Sequence, residues 1–163
     1  MTLFLCGFMG CGKSALGRAL SKRLELPLID TDEYIVKTQG MSIPEIFEKY
    51  GEPYFREIEA KAIADLSQQE AVISCGGGAI LNDKTAKIAR ENGIVILLDQ
   101  SFDVCYSRIK DDKNRPLVQK NTKEQLREIY NARDSVYRKN STIVVKAGNT
   151  PEESAERVIN AIQ

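Results

Sequence analysis

The sequence predicts a three-layer α/β domain, with helices on both faces of a five-stranded parallel sheet. Three observations predict it. Five short apolar runs, unbroken rather than alternating, fit strands buried on both faces. Helical patterns separate these runs, so each strand–helix–strand step is a right-handed crossover. The 163 residues make one domain, 1–163, of ordinary size.

Leu3-Phe4-Leu5-Cys6 is the first run and stops at Gly7. Leu16, Ala19, Leu20 and Leu24 then recur at helical spacing after Lys13. Leu28-Ile29 forms the second run, ahead of Asp30-Thr31-Asp32. Residues 33–66 hold extra helices before the third run, Ala71-Val72-Ile73-Ser74-Cys75, which ends in Gly76-Gly77-Gly78. Asn82 caps a helix that passes through Ala89 and stops at Asn92-Gly93. Ile94–Leu98 is the fourth run and Thr142–Val145 the fifth. Between them, residues 110–121 are polar and are expected to form a mobile loop. Thr122 with Gln125, and Thr150 with Glu153, match the capping-box pattern; Pro151 stands at a first helical position. Ala155, Val158, Ile159 and Ile162 form the apolar stripe of the last helix.

Composition removes several classes of function. Lys plus Arg and Asp plus Glu both number 23, so no excess positive charge favours nucleic acid or an anionic membrane. No apolar run approaches the roughly 18 residues of a membrane span. The first residues lack the pattern of a signal peptide. There is no His, which rules out His-based general-base catalysis and His-ligated zinc. Cys6, Cys11, Cys75 and Cys105 form no C-x-x-C pair and read as reduced thiols of a cytoplasmic protein.

Gly7-Phe8-Met9-Gly10-Cys11-Gly12-Lys13-Ser14 satisfies G-x-x-x-x-G-K-[ST] at every defined position. Glycines let the backbone wind around a phosphate with its N–H groups inward. A lysine at this position places charge on the β- and γ-phosphates, and the Ser14 hydroxyl is a Mg²⁺ ligand. The buried strand before the motif and the amphipathic helix after it supply the required context, so the chain binds a nucleotide. D-x-x-G and N-K-x-D segments are absent, as is an apolar strand ending in Asp-Glu, which leaves small-molecule and nucleotide kinases.

Asp30 and Asp32 fall at a strand's carboxyl end, where open α/β sheets bind ligands. They are placed to hold Mg²⁺ and orient a hydroxyl, or Asp32 simply caps the next helix. Its reference pKa of about 3.9 leaves Asp32 ionised and a poor base, hence an orienter and a late proton acceptor. Arg133 shares an inward helical face with Leu126, Ile129, Tyr130 and Tyr137, so it needs an anion, from a ligand or a structural salt bridge. Arg56 grips a ligand or pairs with Glu52, Glu57 or Glu59. Gly76-Gly77-Gly78 is a tight turn or a place of close ligand approach. Phe47 and Phe55 wall a substrate or belong to the core, and Cys11 and Cys75 read as small space-fillers.

Taken in order, Gly7-Phe8-Met9-Gly10, Asp30-Thr31-Asp32, Phe55-Arg56-x-x-Glu59, Gly76-Gly77-Gly78, Arg115-Pro116-Leu117 and Arg133-x-x-x-Tyr137 span nearly the whole chain. Together they resemble the shikimate kinases. The resemblance implies a P-loop kinase fold like that of the nucleoside-monophosphate kinases, with strand order 2-3-1-4-5. It implies transfer of the γ-phosphoryl group of MgATP to the 3-hydroxyl of shikimate, in chorismate and aromatic amino-acid biosynthesis, by a monomer. By that resemblance Lys13, Asp32 and Arg115 are catalytic, and Ser14 and Asp30 hold Mg²⁺. The nucleotide meets Gly10, Cys11, Gly12, Lys13, Ser14, Ala15, Arg108, Arg115, Asn149 and Pro151; Asn149 stands where the family often has Arg. Shikimate meets Asp32, Phe47, Phe55, Arg56, Gly76, Gly77, Gly78 and Arg133, with Arg56 and Arg133 on its carboxylate. Residues 33–66 become a substrate-binding helical insertion and 110–121 a lid that carries Arg115 to the phosphates. The alternatives are another small P-loop kinase, for gluconate or a nucleoside monophosphate, and a silent nucleotide-binding module. The combination Asp32–Arg56–Gly77–Arg133 distinguishes the first, and Lys13, Ser14, Asp30 and Arg115 the second.

Overall fold

A computed structural model describes residues 1–163. The strands are β1 (Thr2–Cys6), β2 (Leu28–Asp30), β3 (Ala71–Ser74), β4 (Ile94–Asp99) and β5 (Ile143–Lys146). The helices are α1 (Lys13–Leu24), α2 (Thr31–Gln39), α3 (Ile43–Tyr50), α4 (Glu52–Leu66), α5 (Asp83–Asn92), α6 (Phe102–Ile109), α7 (Pro116–Lys120), α8 (Lys123–Asn140) and α9 (Pro151–Ile162). All strand pairs are parallel, in the order β2-β3-β1-β4-β5, the order implied by the family resemblance. Leu5 lies opposite Ser74 on one side and Ile96 on the other. Parallel pairing puts every strand's carboxyl end at the same edge, so the loops that follow β1, β2 and β3 meet there.

Side-chain alternation divides the core. Leu3 and Leu5 join Leu16, Leu20, Val72 and Val158 on one face, under α1 and α9. Phe4 and Cys6 join Ile63, Ile73, Ala86 and Tyr137 on the other, under α4, α5 and α8. Ile35, Ile46, Phe55 and Ala62 form a small third core that unites α2, α3 and α4.

Three expectations need correction. β1 and β3 are buried throughout, but β2 and β5 are edge strands: Leu28 and Val144 are exposed, because each strand has one neighbour and partial helical cover. The Thr122–Gln125 capping box closes in both directions, whereas Thr150–Glu153 closes only halfway. Thr150 accepts the Glu153 N–H, but the Glu153 carboxylate turns instead to the Asn149 N–H and to Arg157. Residues 110–121 are not wholly loop: they contain α7, and Val118 is buried in the main core.

Candidate active site

The turn after β1 wraps back on itself, with Cys11 N–H donating to the Phe8 carbonyl. Gly12 caps α1 at φ 106°, a left-handed conformation that disfavours any side chain. The first turn of α1 carries no acidic residue, so its positive end is free for an external anion. Lys13 folds over this turn, its Nζ donating to the Gly7 carbonyl at 2.6 Å and to Phe8 at 3.3 Å. Arg108, from α6, donates to the Gly10 carbonyl at 2.9 Å and so borders the same turn.

Asp30 is the residue that caps α2, accepting the Glu33 N–H on Oδ1 at 3.0 Å. This corrects the capping alternative for Asp32: Asp32 lies inside the first turn with no hydrogen-bond partner on its carboxylate, which lies beside Gly76. Burial, and then the neighbouring Asp30 charge, push its pKa up from the ordinary Asp value; Arg56 and Lys13 oppose that rise. The carboxylate is therefore a better proton acceptor than its residue type alone suggests.

Each glycine after β3 meets one charged side chain. A Cβ on Gly76 would stand 2.7 Å from Asp32 Oδ1, and one on Gly78 only 2.5 Å from an Arg56 guanidinium nitrogen. At Gly77 the corresponding neighbour is Arg133, at 3.9 Å. The triplet forms a turn, Ala79 N–H donating to the Gly76 carbonyl at 3.1 Å, and lets charged side chains come close without a positive φ at any of the three.

Arg56 forms an ion pair with the buried Glu59 at 2.8 Å and a longer one with Glu52 at 3.5 Å; Glu57 is not a partner. Burial raises the Glu59 pKa while the Arg56 hydrogen bond lowers it. Glu59 therefore anchors Arg56 from behind and leaves its second terminal nitrogen unpartnered. The salt-bridge alternative for Arg133 does not hold. Arg133 is half-buried on the inner face of α8 and makes no ion pair or hydrogen bond with the protein, so its guanidinium donors are free for an anion.

Phe55 is buried in the third core and stacks on Phe47, ring centroids 4.8 Å apart, with Arg56 over the Phe55 ring. Arg115 is not brought to the phosphate turn: it pairs with Asp112 of its own loop at 2.9 Å. Asn149 and Pro151 occupy the loop after β5 and the start of α9. All four thiols are free and buried, and burial drives those of Cys6 and Cys105 up to about 12, which leaves them inert.

For a metal, the Ser14 hydroxyl is exposed and one Asp30 oxygen remains unpartnered, while no three acidic or Cys side chains converge. That donor set suits Mg²⁺, which binds through one or two carboxylates plus substrate phosphates and keeps several waters.

Sequence reasoning left open which neighbour holds Arg56 and assigned nothing to two buried hydroxyls. Thr31 Oγ1 accepts the Gly76 N–H at 2.9 Å, and Tyr137 OH donates to the Gly77 carbonyl at 2.6 Å. The available signals were the i,i+3 spacing of Arg56 and Glu59 and the i,i+4 spacing of Arg133 and Tyr137.

Comparison with known proteins gives a consistent answer. A family model described as shikimate kinase matches residues 9–163. A shikimate kinase of Aquifex aeolicus is 38% identical over 164 residues, covering all of this chain and 96% of the relative. The solved structure of a shikimate kinase from Acinetobacter baumannii in complex with shikimate aligns with a TM-score of 0.88 at 33% identity, covering 99% of this chain and 92% of that one. A gluconokinase from Sinorhizobium meliloti aligns at a TM-score of 0.60 and 20% identity, covering 99% and 90%, a likeness of fold alone.

Proposed function

The chain belongs to the shikimate kinase family, and on that premise we propose that it transfers the γ-phosphoryl group of ATP to the 3-hydroxyl of shikimate. It is an ATP-dependent phosphotransferase with an alcohol acceptor. The observation that carries the choice of acceptor is the unpaired, half-buried Arg133 beside Gly77, on the same glycine run that meets Asp32 and Arg56. Two guanidinium groups and a carboxylate suit a small hydroxylated acid: the arginines take the carboxylate and Asp32 faces a hydroxyl.

The turn from Gly10 to Ala15 cradles the phosphates, and Lys13 moves from the Gly7 carbonyl to the charge that develops on the transferring group. Ser14 and Asp30 would hold Mg²⁺, which would supply positive charge to the phosphates. Asp32 orients the acceptor hydroxyl and accepts its proton as the new bond forms. Arg108, Asn149 and Pro151 border the adenine, and Phe47 and Phe55 support the acceptor side beneath Arg56. Residues 33–66 are the acceptor-binding insertion of one domain, 1–163. The reading includes a cytoplasmic monomer that acts on small molecules; no helix is long and apolar enough to cross a membrane.

Substrate titration tests the acceptor. Arg133→Ala and Arg56→Ala are each expected to weaken shikimate by about 2–5 kcal/mol if the carboxylate is desolvated, and to leave ATP nearly unchanged. An acceptor analogue without the carboxylate should bind wild type poorly. Equal affinity for both acceptors would overturn the clamp.

Residues 110–121 act as the lid. Arg115 must leave Asp112 to reach the phosphates, and closure then excludes water, the competing acceptor. Arg115→Ala is expected to slow transfer by several kcal/mol of barrier, on the order of other phosphate-clamping arginines. Amides of 110–121 should exchange more slowly once an ATP analogue and shikimate are both bound. Normal turnover in the variant, with exchange insensitive to ligands, would refute the lid.

A further inference from the structure

We propose that Thr31 and Tyr137 are positioning residues for acceptor binding: their buried hydroxyls tether the Gly76–Gly78 loop, one to α2 and the other to α8. The inference rests on the acceptor site proposed above. Thr31 is wholly buried and Tyr137 is 2% exposed, so neither presents its side chain at the surface of the site. Each spends its hydroxyl on the backbone of that loop, Thr31 Oγ1 accepting the Gly76 N–H at 2.9 Å and Tyr137 OH donating to the Gly77 carbonyl at 2.6 Å.

The pairing of tether and charge is the informative feature. Thr31 precedes Asp32, the charged neighbour of Gly76; Tyr137 lies one helical turn after Arg133, the charged neighbour of Gly77. Gly76 and Gly77 are thus each bonded by one residue and faced by a charged group from the same helix, whereas Gly78 is faced only by Arg56. α2 brings Thr31 with Asp32 and α8 brings Tyr137 with Arg133, while α4 brings Arg56 to Gly78. A loop of three glycines has little stiffness of its own. The two hydrogen bonds therefore set the distance between the Asp32 carboxylate and the Arg133 guanidinium, which a rigid cyclic acceptor must span. Displacements of about 1 Å at such a site are costly.

Tyr137→Phe and Thr31→Val remove only the hydroxyl functions and keep nearly the same volume, whereas Thr31→Ser retains the acceptor oxygen. Both hydroxyl-deleting variants are expected to raise KM for shikimate about tenfold or more, with KM for ATP within twofold of wild type. Thr31→Ser should stay near wild type in both. A purely structural role would lower Tm without this split between substrates and without rescue by Ser. Hydrogen exchange on the ligand-free chain gives an independent measurement: the amides of Gly76–Gly78 should exchange at least tenfold faster in Tyr137→Phe and Thr31→Val. Unchanged KM for shikimate, or unchanged exchange in both variants, overturns the proposal. If wild type does not phosphorylate shikimate, the acceptor assignment fails, and accelerated exchange still supports the tether while unchanged exchange refutes it.

Discussion

Lys13→Met is expected to lower kcat by at least about 10²–10³-fold while the chain still folds, because the lost charge acts on the transition state and not on the core. Lys13 Nζ rests on the carbonyls of Gly7 and Phe8, which lie at the carboxyl edge of the sheet. Losing those two contacts costs stability on the order of 1 kcal/mol each at most, since water can reach a half-buried turn. Phosphoryl transfer places far more on the same ammonium. The transferring group spreads negative charge over three equatorial oxygens, and catalysis depends almost wholly on fixed positive groups around it. Methionine keeps the length and flexibility of the lysine stem, so the apolar contacts of the chain survive. Single-turnover kinetics with saturating ATP and shikimate, together with a thermal melt, separate the two effects. Turnover close to wild type would remove the phosphate turn from catalysis.

Asp32→Asn is expected to lower kcat by about 10²–10⁴-fold, the range of a lost general base, with little change in ATP affinity. A second signature follows from electrostatics. Burial raises the Asp32 pKa in the folded chain above its unfolded value. Between those two values the folded state binds more protons than the unfolded state, so this group's contribution to stability falls as pH rises through the window. Above the raised value the penalty is complete and constant; below the ordinary Asp range it vanishes. Asp32→Asn should therefore raise Tm at pH 7 while it lowers turnover, and the gain should disappear in acid. The wild-type acid limb of kcat/KM for shikimate should lie above the ordinary Asp pKa, because kcat/KM reports the free enzyme and transfer needs the unprotonated carboxylate. A variant that keeps most of its turnover would show that Asp32 does not face the reacting hydroxyl.

Patterns local in sequence settled much of the fold. The five apolar runs became five parallel strands, and β1 and β3 are buried throughout between helical layers as unbroken Val, Ile and Leu runs predict, whereas β2 and β5 became edge strands. Gly7–Ser14 was legible for a similar reason: its conformation depends on glycines within eight residues and on the helix that follows. Asn82 and the Thr122–Gln125 box capped their helices as read, since a cap needs only a partner two or three residues away. Thr150–Glu153 shows the limit of such local reasoning. Its pattern is complete, yet Arg157 and the Asn149 N–H compete for the same carboxylate.

Tertiary structure decided the rest. Whether Arg133 had an internal anion could not be read from its helix, because every candidate partner belonged to another element; the folded chain leaves it unpaired. Arg56 had three nearby acids, and only packing made Glu59 the buried one. The Asp32 pKa depends on burial against Gly76, forty-four residues away in sequence, and on charges from three other elements, Asp30 of β2, Arg56 of α4 and Lys13 of α1. Capping and strand formation are short-range and were written in the sequence by residue type and spacing. Burial, ion pairing and proton affinity depend on which distant groups share a small volume of low dielectric, and that is set only when β1, β2 and β3 align their carboxyl ends.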